Sequence, residues 1–468
     1  MNPISLPPLF VRRMQGLLGA DYAAFACALT AAPFRRGLRV NTLKMPPERL
    51  LALYGDALPS APFCAAGYYV EREDWRPLFD PLHHAGAYYM QEPSAMSAVT
   101  ALAPQPGERV LDLCAAPGGK STQIAAALQG QGLLWSNEFV RSRAQVLAQN
   151  LERCGVRNAV VSNGDTAVLG DALGGWFDAV LVDAPCSGEG MFRKEAAALE
   201  GWSEDNIALC AARQRTILDA AAKTVREGGR LVYATCTFAP EENECMMAWF
   251  LRAHPDFEAV DLSGVGFGRA AFDWEQVAAF APADVAGSGL PLSYARRILP
   301  QDGGAGHFVA LFRRVSPPET VQSGTFIYPR LEESCIKCEE LYRECFSDVP
   351  NGRFAAIGGG IRLLPEDLPP MTGLGVLGAG VAAAEIQRSG RLEPCHALFM
   401  AAQAAHCRAV APLEGDAATA FLHGETVPCD PALRGWTAAT VAGVTVGFGK
   451  AVNGTLKNHY PKGLRLRE

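Results

Sequence analysis

The pattern of apolar and polar positions is most regular between about residues 105 and 312, where short apolar runs alternate with amphipathic stretches. The runs predict strands at 109–113, 133–136, 159–162, 177–182 and 230–235. The stretches between them predict helices at 120–128, 142–153 and 203–225. Strands that alternate with helices pair in parallel through right-handed crossovers, so we predict a doubly wound, Rossmann-like α/β domain.

The segments on either side of this domain follow other patterns. A helical stretch over 10–29 and a strand over 38–42 indicate a small N-terminal α+β unit. Residues 307–313 predict one more strand, which we place at the edge of the central sheet, and the run SPPETVQSG at 316–324 is typical of a linker. The end of the chain, 437–467, has short β-like runs, glycine turns and basic residues.

The composition excludes several classes of protein. With 49% hydrophobic and 19% charged residues, the chain of 468 residues is not mainly disordered. It lacks both an apolar run long enough to span a membrane and the apolar stretch of a signal peptide. We therefore expect a soluble, cytoplasmic protein without a membrane partner, in which the 14 cysteines serve as reduced thiols, catalytic groups or metal ligands.

The charge balance restricts how the protein can bind nucleic acid. With 42 Lys and Arg against 49 Asp and Glu, the net charge is −7, so any such contact must use local basic patches. Residues 1–50 hold seven basic and two acidic residues, a net charge of +5. Residues 447–468 hold five basic residues and one acidic residue, a net charge of +4.

The strongest local motif is VLDLCAAPGGKST at 110–122, a strand followed by a tight turn of small residues and a helix. Small residues allow a ligand to approach the backbone, and a helix N-terminus offers free N–H groups to an anion. A phosphate loop would need glycine where Cys114 stands, and the dinucleotide motif Gly-x-Gly-x-x-Gly is absent. Two interpretations of the motif remain. It binds a nucleoside with a carboxylate tail, such as S-adenosylmethionine, or it is a tight turn that binds no ligand.

Three acidic residues favour the nucleoside. Glu138, Asp165 and Asp183 follow the second, third and fourth predicted strands, at the edge where open α/β sheets bind ligands. A carboxylate in the position of Glu138 can accept hydrogen bonds from both ribose hydroxyls. A single acid there would more often be a helix cap, but three beside a glycine turn favour a nucleoside cofactor.

Two cysteines also follow predicted strands. Cys186 lies in DAPCSGEG after the fourth strand, and Cys236 lies in YATCTF at the end of the fifth. Most single cysteines are buried and inert. Because adjacent strands lie about 4.8 Å apart, two thiols at neighbouring strand ends can reach one substrate.

A thiol pair beside a methyl donor indicates pyrimidine chemistry. A thiolate that adds to carbon 6 activates carbon 5 for methylation and is afterwards expelled, and the second thiol can assist that expulsion. Asp183 can hydrogen-bond or protonate the edge of the ring. The residues alone do not rank Cys186 and Cys236.

In these motifs the sequence resembles the Nop/Sun-type RNA cytosine-5 methyltransferases, and among them the bacterial RsmF-like branch that acts on small-subunit ribosomal RNA. The matching stretches are DLCAAPGGK (112–120), DAPCSG (183–188), ATCT (234–237), RVNT (39–42), YMQEPSA (89–95) and GHFVA (306–310). The resemblance covers about residues 30–314, and 449–463 resembles the end of a PUA-like RNA-binding domain found in that branch.

The resemblance implies a role for each matching residue. Cys236 corresponds to the nucleophile and Cys186 to the thiol that helps to release product. Because DNA cytosine methyltransferases use the Pro-Cys thiol as nucleophile, Cys186 in that role remains an alternative. The implied contacts of S-adenosylmethionine are Cys114, Ala115, Ala116, Pro117, Gly118, Gly119, Lys120, Glu138, Asp165 and Asp183.

The implied function is S-adenosylmethionine-dependent methylation of a cytosine in structured RNA. The first candidate is 16S ribosomal RNA or the small subunit, and the second is tRNA. A non-catalytic RNA-binding assembly factor is the hypothesis from another class. The predicted RNA contacts are Arg39, Asn41, Arg193, Lys194, Lys457 and Lys462.

The predicted domains are an N-terminal RNA-binding domain (1–75), a methyltransferase domain (76–314), a first C-terminal domain (325–405) and a PUA-like domain (406–468). We expect a monomer without metal. Cys335, Cys338 and Cys345 lack a proper fourth zinc ligand and are expected on an acidic helix, and for His83 and His84 we favour a surface or stacking role.

Overall fold

The computed structural model describes residues 4–31, 35–55, 58–71, 75–322, 324–329 and 332–466. The helices are α1 (Pro8–Leu18), α2 (Tyr22–Thr30), α3 (Pro47–Tyr54), α4 (Pro81–His84), α5 (Ser97–Leu102), α6 (Gly119–Leu128), α7 (Arg141–Arg153), α8 (Thr166–Ala172), α9 (Ala196–Glu200), α10 (Glu204–Thr224), α11 (Glu244–Ala253), α12 (Trp274–Val277), α13 (Glu333–Cys345), α14 (His396–Ala401) and α15 (Asp416–His423). The strands are β1 (Arg36–Val40), β2 (Gly67–Val70), β3 (Tyr88–Met90), β4 (Arg109–Asp112), β5 (Leu133–Asn137), β6 (Ala159–Ser162), β7 (Phe177–Asp183), β8 (Val225–Thr235), β9 (Phe257–Val260), β10 (Arg269–Ala270), β11 (Arg296–Ile298), β12 (His307–Arg314), β13 (Arg353–Ile357), β14 (Gly360–Leu364), β15 (Val376–Ala379), β16 (Val381–Ile386), β17 (Leu392–Pro394), β18 (Val410–Pro412), β19 (Val427–Pro428), β20 (Gly435–Val441), β21 (Val444–Val452) and β22 (Thr455–Asn458).

A mixed sheet of ten strands forms the centre of the protein, in the order β10-β11-β12-β8-β7-β4-β5-β6-β15, with β9 also paired to β12. The strands from β8 to β6 in this order are parallel to one another. The order reverses between β4 and β7, and ligands of doubly wound sheets bind beside such a switch point. The predicted Rossmann-like α/β core is confirmed.

Three predicted elements differ from the structure. The helix expected over 10–29 is divided into α1 and α2, because Gly19 takes a positive φ of 52° and ends the first helix. β8 begins at Val225 rather than at residue 230. The strand expected at the sheet edge is β12, which instead lies inside the sheet, antiparallel to both β8 and β11.

The terminal regions form smaller sheets. β1 pairs with β2 and β3 in a three-stranded antiparallel sheet, and β3 lies beyond the boundary expected at residue 75. The C-terminal region forms one sheet in the order β13-β14-β16-β17 and another in the order β18-β20-β21-β22-β19. The division into four domains stays a prediction.

Two features tie these regions together. β15, from the region expected to be a separate domain, pairs antiparallel with β6 and so extends the central sheet. One hydrophobic cluster contains Leu38 and Tyr88 of the N-terminal region together with Phe421, Val446 and Leu456 of the C-terminal region. Burial of apolar surface therefore joins the two ends of the chain.

The cysteines considered as zinc ligands lie on α13, as expected, and are part of an apolar cluster. Cys335, Cys338 and Cys345 are at most 2% exposed and pack with residues such as Phe346. Across the described ranges, no group of three or more His, Cys, Asp or Glu side chains is placed to hold a metal ion. None of the described helices has both the length and the apolarity to cross a membrane.

Candidate active site

A cavity of about 1290 Å³ opens at the carboxyl edge of the parallel strands. Of the residues predicted to bind the cofactor or to act in catalysis, its lining includes Cys114, Ala115, Ala116, Pro117, Gly119, Lys120, Glu138, Asp165, Asp183, Cys186 and Cys236. The topology therefore brings the turn, the acids and both cysteines to one space. Gly118 lies in the turn but does not line the cavity.

The turn after β4 adopts a conformation that its small residues permit. Gly118 has a φ of 110°, in the region that favours glycine, and the Ala116–Pro117 peptide bond is cis. α6 begins directly afterwards at Gly119, so its first N–H groups adjoin the cavity. Arg143 Nη2 donates to Ala116 O at 2.9 Å and supports the turn from α7.

The two acids beside the turn have different surroundings. Glu138 is 4% exposed; its Oε1 accepts from Val140 N at 2.8 Å, and its Oε2 lies 3.6 Å from Arg143 Nη1. Asp165 caps α8 by accepting from Ala167 N at 2.8 Å, so this acid is a helix cap that also lines the cavity. Either carboxylate has an oxygen from which it can accept a further hydrogen bond.

Asp183 forms the central ion pair of the cavity. Lys120 Nζ donates to its Oδ2 at 2.6 Å, and His307 Nε2 lies 3.7 Å from its Oδ1. Burial by itself raises the pKa of Asp183, but Lys120 and His307 outweigh it and lower the pKa to about 2. Asp183 is therefore ionised at neutral pH and accepts hydrogen bonds, which favours the hydrogen-bonding role over the protonating role among the two considered for it.

His307 was not among the predicted site residues, although it lies in the GHFVA motif at 306–310. It is 4% exposed, and its Nε2 has no hydrogen-bond partner among the described residues. No local pattern indicates its position, because the strand that carries it is expected at the sheet edge. Its insertion beside β8 brings His307 to the cavity.

The two cysteine thiols lie in direct contact. β7 and β8 are adjacent and parallel, with Asp183 opposite Ala234, and the loops that follow them place Cys186 Sγ 3.3 Å from Cys236 Sγ. The hydrogen bond to Cys236, together with burial, raises the pKa of Cys186 well above its usual range. Cys186 therefore remains a protonated thiol that can donate to Cys236.

The buried carboxyl of Glu242 holds the Cys186 loop through hydrogen bonds. Glu242 is not among the site residues predicted from the sequence. Glu242 is fully buried, accepts from Ser187 N at 3.1 Å and accepts from Gln214 Nε2 at 2.7 Å. Burial raises the pKa of Glu242 to about 8, although the hydrogen bonds from the N–H groups of Ser187 and Gln214 oppose the rise. No motif marked Glu242, because its role depends on the fold of the segment after β8.

Two residues predicted to contact RNA are instead internal. Arg39 is 1% exposed and donates to Gly119 O and Thr122 Oγ1, both at 2.7 Å. Asn41 is 2% exposed and donates to Gly86 O at 2.8 Å. Both predictions are corrected, because Arg39 on β1 reaches the first turn of α6 and Asn41, directly after β1, reaches the segment that precedes β3.

The other predicted RNA contacts stay predictions. Lys194 is exposed and lines the cavity, whereas Arg193 is half-buried and donates to Ala28 O at 3.1 Å. Lys457 on β22 and Lys462 after it are exposed.

Fold and site together define a Rossmann-like methyltransferase. Three family models match the chain: the N-terminal domain of 16S rRNA methyltransferase RsmF over residues 6–93, 16S rRNA methyltransferase RsmB/F over 99–313, and the methyltransferase RsmF PUA domain over 408–466. A methyltransferase homologue from Pyrococcus horikoshii has a similar structure, with a TM-score of 0.57 and 30% identity, covering 65% of this chain and 94% of that one.

The chain is also similar to curated proteins along its whole length. It is 33% identical to ribosomal RNA small subunit methyltransferase F of Klebsiella pneumoniae (strain 342), over 99% of this chain and 97% of that protein. The protein of the same name from Escherichia coli O157:H7 (strain EC4115 / EHEC) is 46% identical over 54% of this chain and 55% of its own. The chain belongs to the RsmF family of RNA methyltransferases.

The buried carboxyl predicts how stability depends on pH. The pKa of Glu242 rises from its usual 4.5 to about 8 on folding. Between these values the unfolded state loses this proton and the folded state keeps it, so the group lowers stability as pH rises. Glutamine does not ionise. We therefore expect the thermal unfolding midpoint of Glu242→Gln to rise relative to that of the wild type between pH 5 and pH 8. Parallel profiles of the two midpoints against pH would contradict the assignment.

Proposed function

We propose that the protein transfers a methyl group from S-adenosylmethionine to carbon 5 of a cytosine in 16S ribosomal RNA. Cys236 adds to carbon 6 of the base, and Cys186 assists the later release. The observation that carries the proposal is the 3.3 Å contact between the two thiols in the cavity that the cofactor turn also lines. Ribosomal RNA is proposed because small-subunit ribosomal RNA appears in the names of the relatives.

The residues of the cavity fit the proposed cofactor. Glu138, nearly buried at the end of β5, is placed to accept from ribose hydroxyls. The backbone N–H groups at the start of α6 favour a carboxylate. When bound there, S-adenosylmethionine supplies an electrophilic methyl group.

The charged groups of the site prepare the base for attack. Asp183, held ionised by Lys120, accepts a hydrogen bond from an exocyclic amine such as that of cytosine. Cys236, as thiolate, forms a bond to carbon 6, and the displaced π electrons make carbon 5 nucleophilic. After methylation a base takes the proton from carbon 5, the electrons of that C–H bond re-form the ring double bond, and the bond to Cys236 breaks with the sulfur leaving as a thiolate.

Cys186 fits the supporting role for an electrostatic reason. Its raised pKa keeps the proton on sulfur, so it is a poor nucleophile and a hydrogen-bond donor. From 3.3 Å it can donate to Cys236, which stabilises that sulfur as it leaves the base as a thiolate. The target base must leave its stack to reach both thiols, which costs least in single-stranded or loop RNA.

The first prediction from the proposed function separates the two thiols. Cys236→Ala cannot form the adduct, so we expect it to be inactive and to give no covalent RNA complex. Cys186→Ala still attacks and methylates but stalls before release, so RNA should remain attached and appear as a retarded band on a denaturing gel. A retarded band with Cys236→Ala and none with Cys186→Ala would assign Cys186 as the nucleophile.

The second prediction concerns the cofactor. Glu138→Ala removes a hydrogen-bonded carboxylate and should weaken binding of S-adenosylmethionine by about 1.5–3 kcal/mol. Isothermal titration calorimetry measures the change, with Glu258→Gln, at an exposed position on β9, as the control. Equal affinities of Glu138→Ala and the wild type would remove Glu138 from the site.

The third prediction concerns RNA binding by the basic C-terminal end. If Lys457 and Lys462 neutralise phosphates of a single strand, replacing both by alanine should reduce the slope of log affinity against log salt by about 0.7 for each lost contact. Filter binding across a salt series measures the slope. An unchanged slope would show that neither lysine contacts phosphate, and methyl-donor affinity, which should not change, is the control.

A further inference from the structure

Two buried glutamates connect the loops that carry the thiols. Glu189 belongs to the Cys186 loop and reaches the segment after Cys236: its Oε2 accepts from Phe238 N at 2.8 Å and from Thr237 Oγ1 at 3.0 Å. Its Oε1 accepts from Trp202 Nε1 at 2.7 Å. The side chain is buried and has N–H donors at both oxygens.

Glu242 makes the reverse connection, from the segment after Cys236 to the Cys186 loop. Its Oε2 accepts from Ser187 N and Gln214 Nε2, and its Oε1 is hydrogen-bonded to Ser187 Oγ. A backbone bond from Gly190 N to Cys236 O, at 2.9 Å, runs parallel to these side-chain links.

The hydroxyls between the two glutamates determine where the protons lie. Thr237 Oγ1 donates to Glu189, so it accepts from Ser187 Oγ, which lies 2.8 Å away. That bond uses the only proton of the Ser187 hydroxyl, so the bond between Ser187 Oγ and Glu242 Oε1 requires a proton on Glu242. The raised pKa of Glu242 agrees with this assignment.

Burial raises the pKa of Glu189 as well, and the hydrogen bonds from Trp202, Phe238 and Thr237 oppose that rise. The geometry distinguishes the two carboxyls. Glu189 has an N–H donor close to each oxygen, at 2.7 Å and 2.8 Å. The nearest partner of Glu242 Oε1 is the Ser187 hydroxyl, and the N–H donors of Glu242 lie closer to Oε2, with Ser187 N at 3.1 Å from Oε2 and 3.4 Å from Oε1.

We propose that Glu189 and Glu242 are positioning residues that hold the two catalytic thiols in contact. They form the two ends of one hydrogen-bond chain. Glu242 donates to Ser187, Ser187 donates to Thr237, and Thr237 donates to Glu189. The catalytic use of the thiols rests on the proposed function above, whereas their positioning does not. Neither glutamate lines the cavity, so each acts through the loops.

The chain predicts opposite outcomes for two similar substitutions. In Glu242→Gln the amide NH₂ takes the place of the protonated oxygen and donates to Ser187, while the amide oxygen still accepts from Ser187 N and Gln214. In Glu189→Gln an NH₂ group must face an N–H donor in either orientation. We therefore expect the hydrogen-bond chain to persist in Glu242→Gln and to be broken in Glu189→Gln.

A trivalent arsenical, phenylarsine oxide, measures the contact between the thiols without using methylation. It forms two As–S bonds with neighbouring thiols and releases one water. Protection of Cys186 and Cys236 from alkylation, mapped by mass spectrometry, gives its affinity for this pair, and Cys186→Ala gives the background. Steady-state methylation of RNA, resolved into kcat and KM, is measured on the same variants, with Glu258→Gln as the matched control.

We expect Glu242→Gln to match the wild type and Glu258→Gln in both measurements. Glu189→Gln should lose about tenfold in arsenical affinity and in kcat, with KM little changed. If Glu189→Gln does not fold, Thr237→Val, which removes the central hydroxyl at similar volume, should show the same losses.

Wild-type behaviour of Glu189→Gln, or of Thr237→Val in its place, would overturn the positioning role. Equal damage in Glu242→Gln and Glu189→Gln would overturn the assignment of the donor. If even the wild type does not methylate RNA while arsenical affinity changes as expected, the proposed function fails and the positioning role stands.

Discussion

The site depends on the parallel pairing of β7 with β8. This pairing sets Asp183 opposite Ala234, so the chain leaves both strands at the same height and the two following loops meet. The 3.3 Å contact between Cys186 and Cys236 is a consequence of that register. A shift of one residue would turn the side chains at the strand end to the opposite face of the sheet.

The acidic side chains near the thiols differ in pKa and therefore in charge. The ion pair between Lys120 and Asp183 is a fixed dipole at the cavity wall, in which Lys120 is nearly buried and the Asp183 side chain is 29% exposed to the cavity. Nearby acids are held differently: burial raises the pKa of Asp112 to about 7 although Ser121 donates to it. Asp183 therefore carries its charge at the cavity, whereas the pKa of the buried Asp112 is raised towards neutral pH.

The terminal regions support this arrangement from outside. Arg39 on β1 donates to the first turn of α6, which couples the N-terminal sheet to the turn at the cavity. Lys44 donates to Met400 O and Arg157 donates to Ala401 O, so basic side chains near the core satisfy carbonyls at the end of α14. Arg39 and Lys44 are thus used inside the protein, whereas Lys457 and Lys462 of the C-terminal region are exposed.

Local patterns in the chain are enough to predict the parallel α/β core, the turn at 114–120, and the placement of Glu138, Asp183, Cys186 and Cys236 at strand ends. Such features are local, because apolar runs, glycine turns and strand-end residues follow one another along the chain. Only the tertiary structure decided that β12 lies inside the sheet, that Arg39 is buried, and that Glu189 and Glu242 connect the two loops. These depend on contacts between segments distant in sequence, and neither hydrophobic pattern nor charge marks a buried arginine or glutamate whose partners are supplied by the fold.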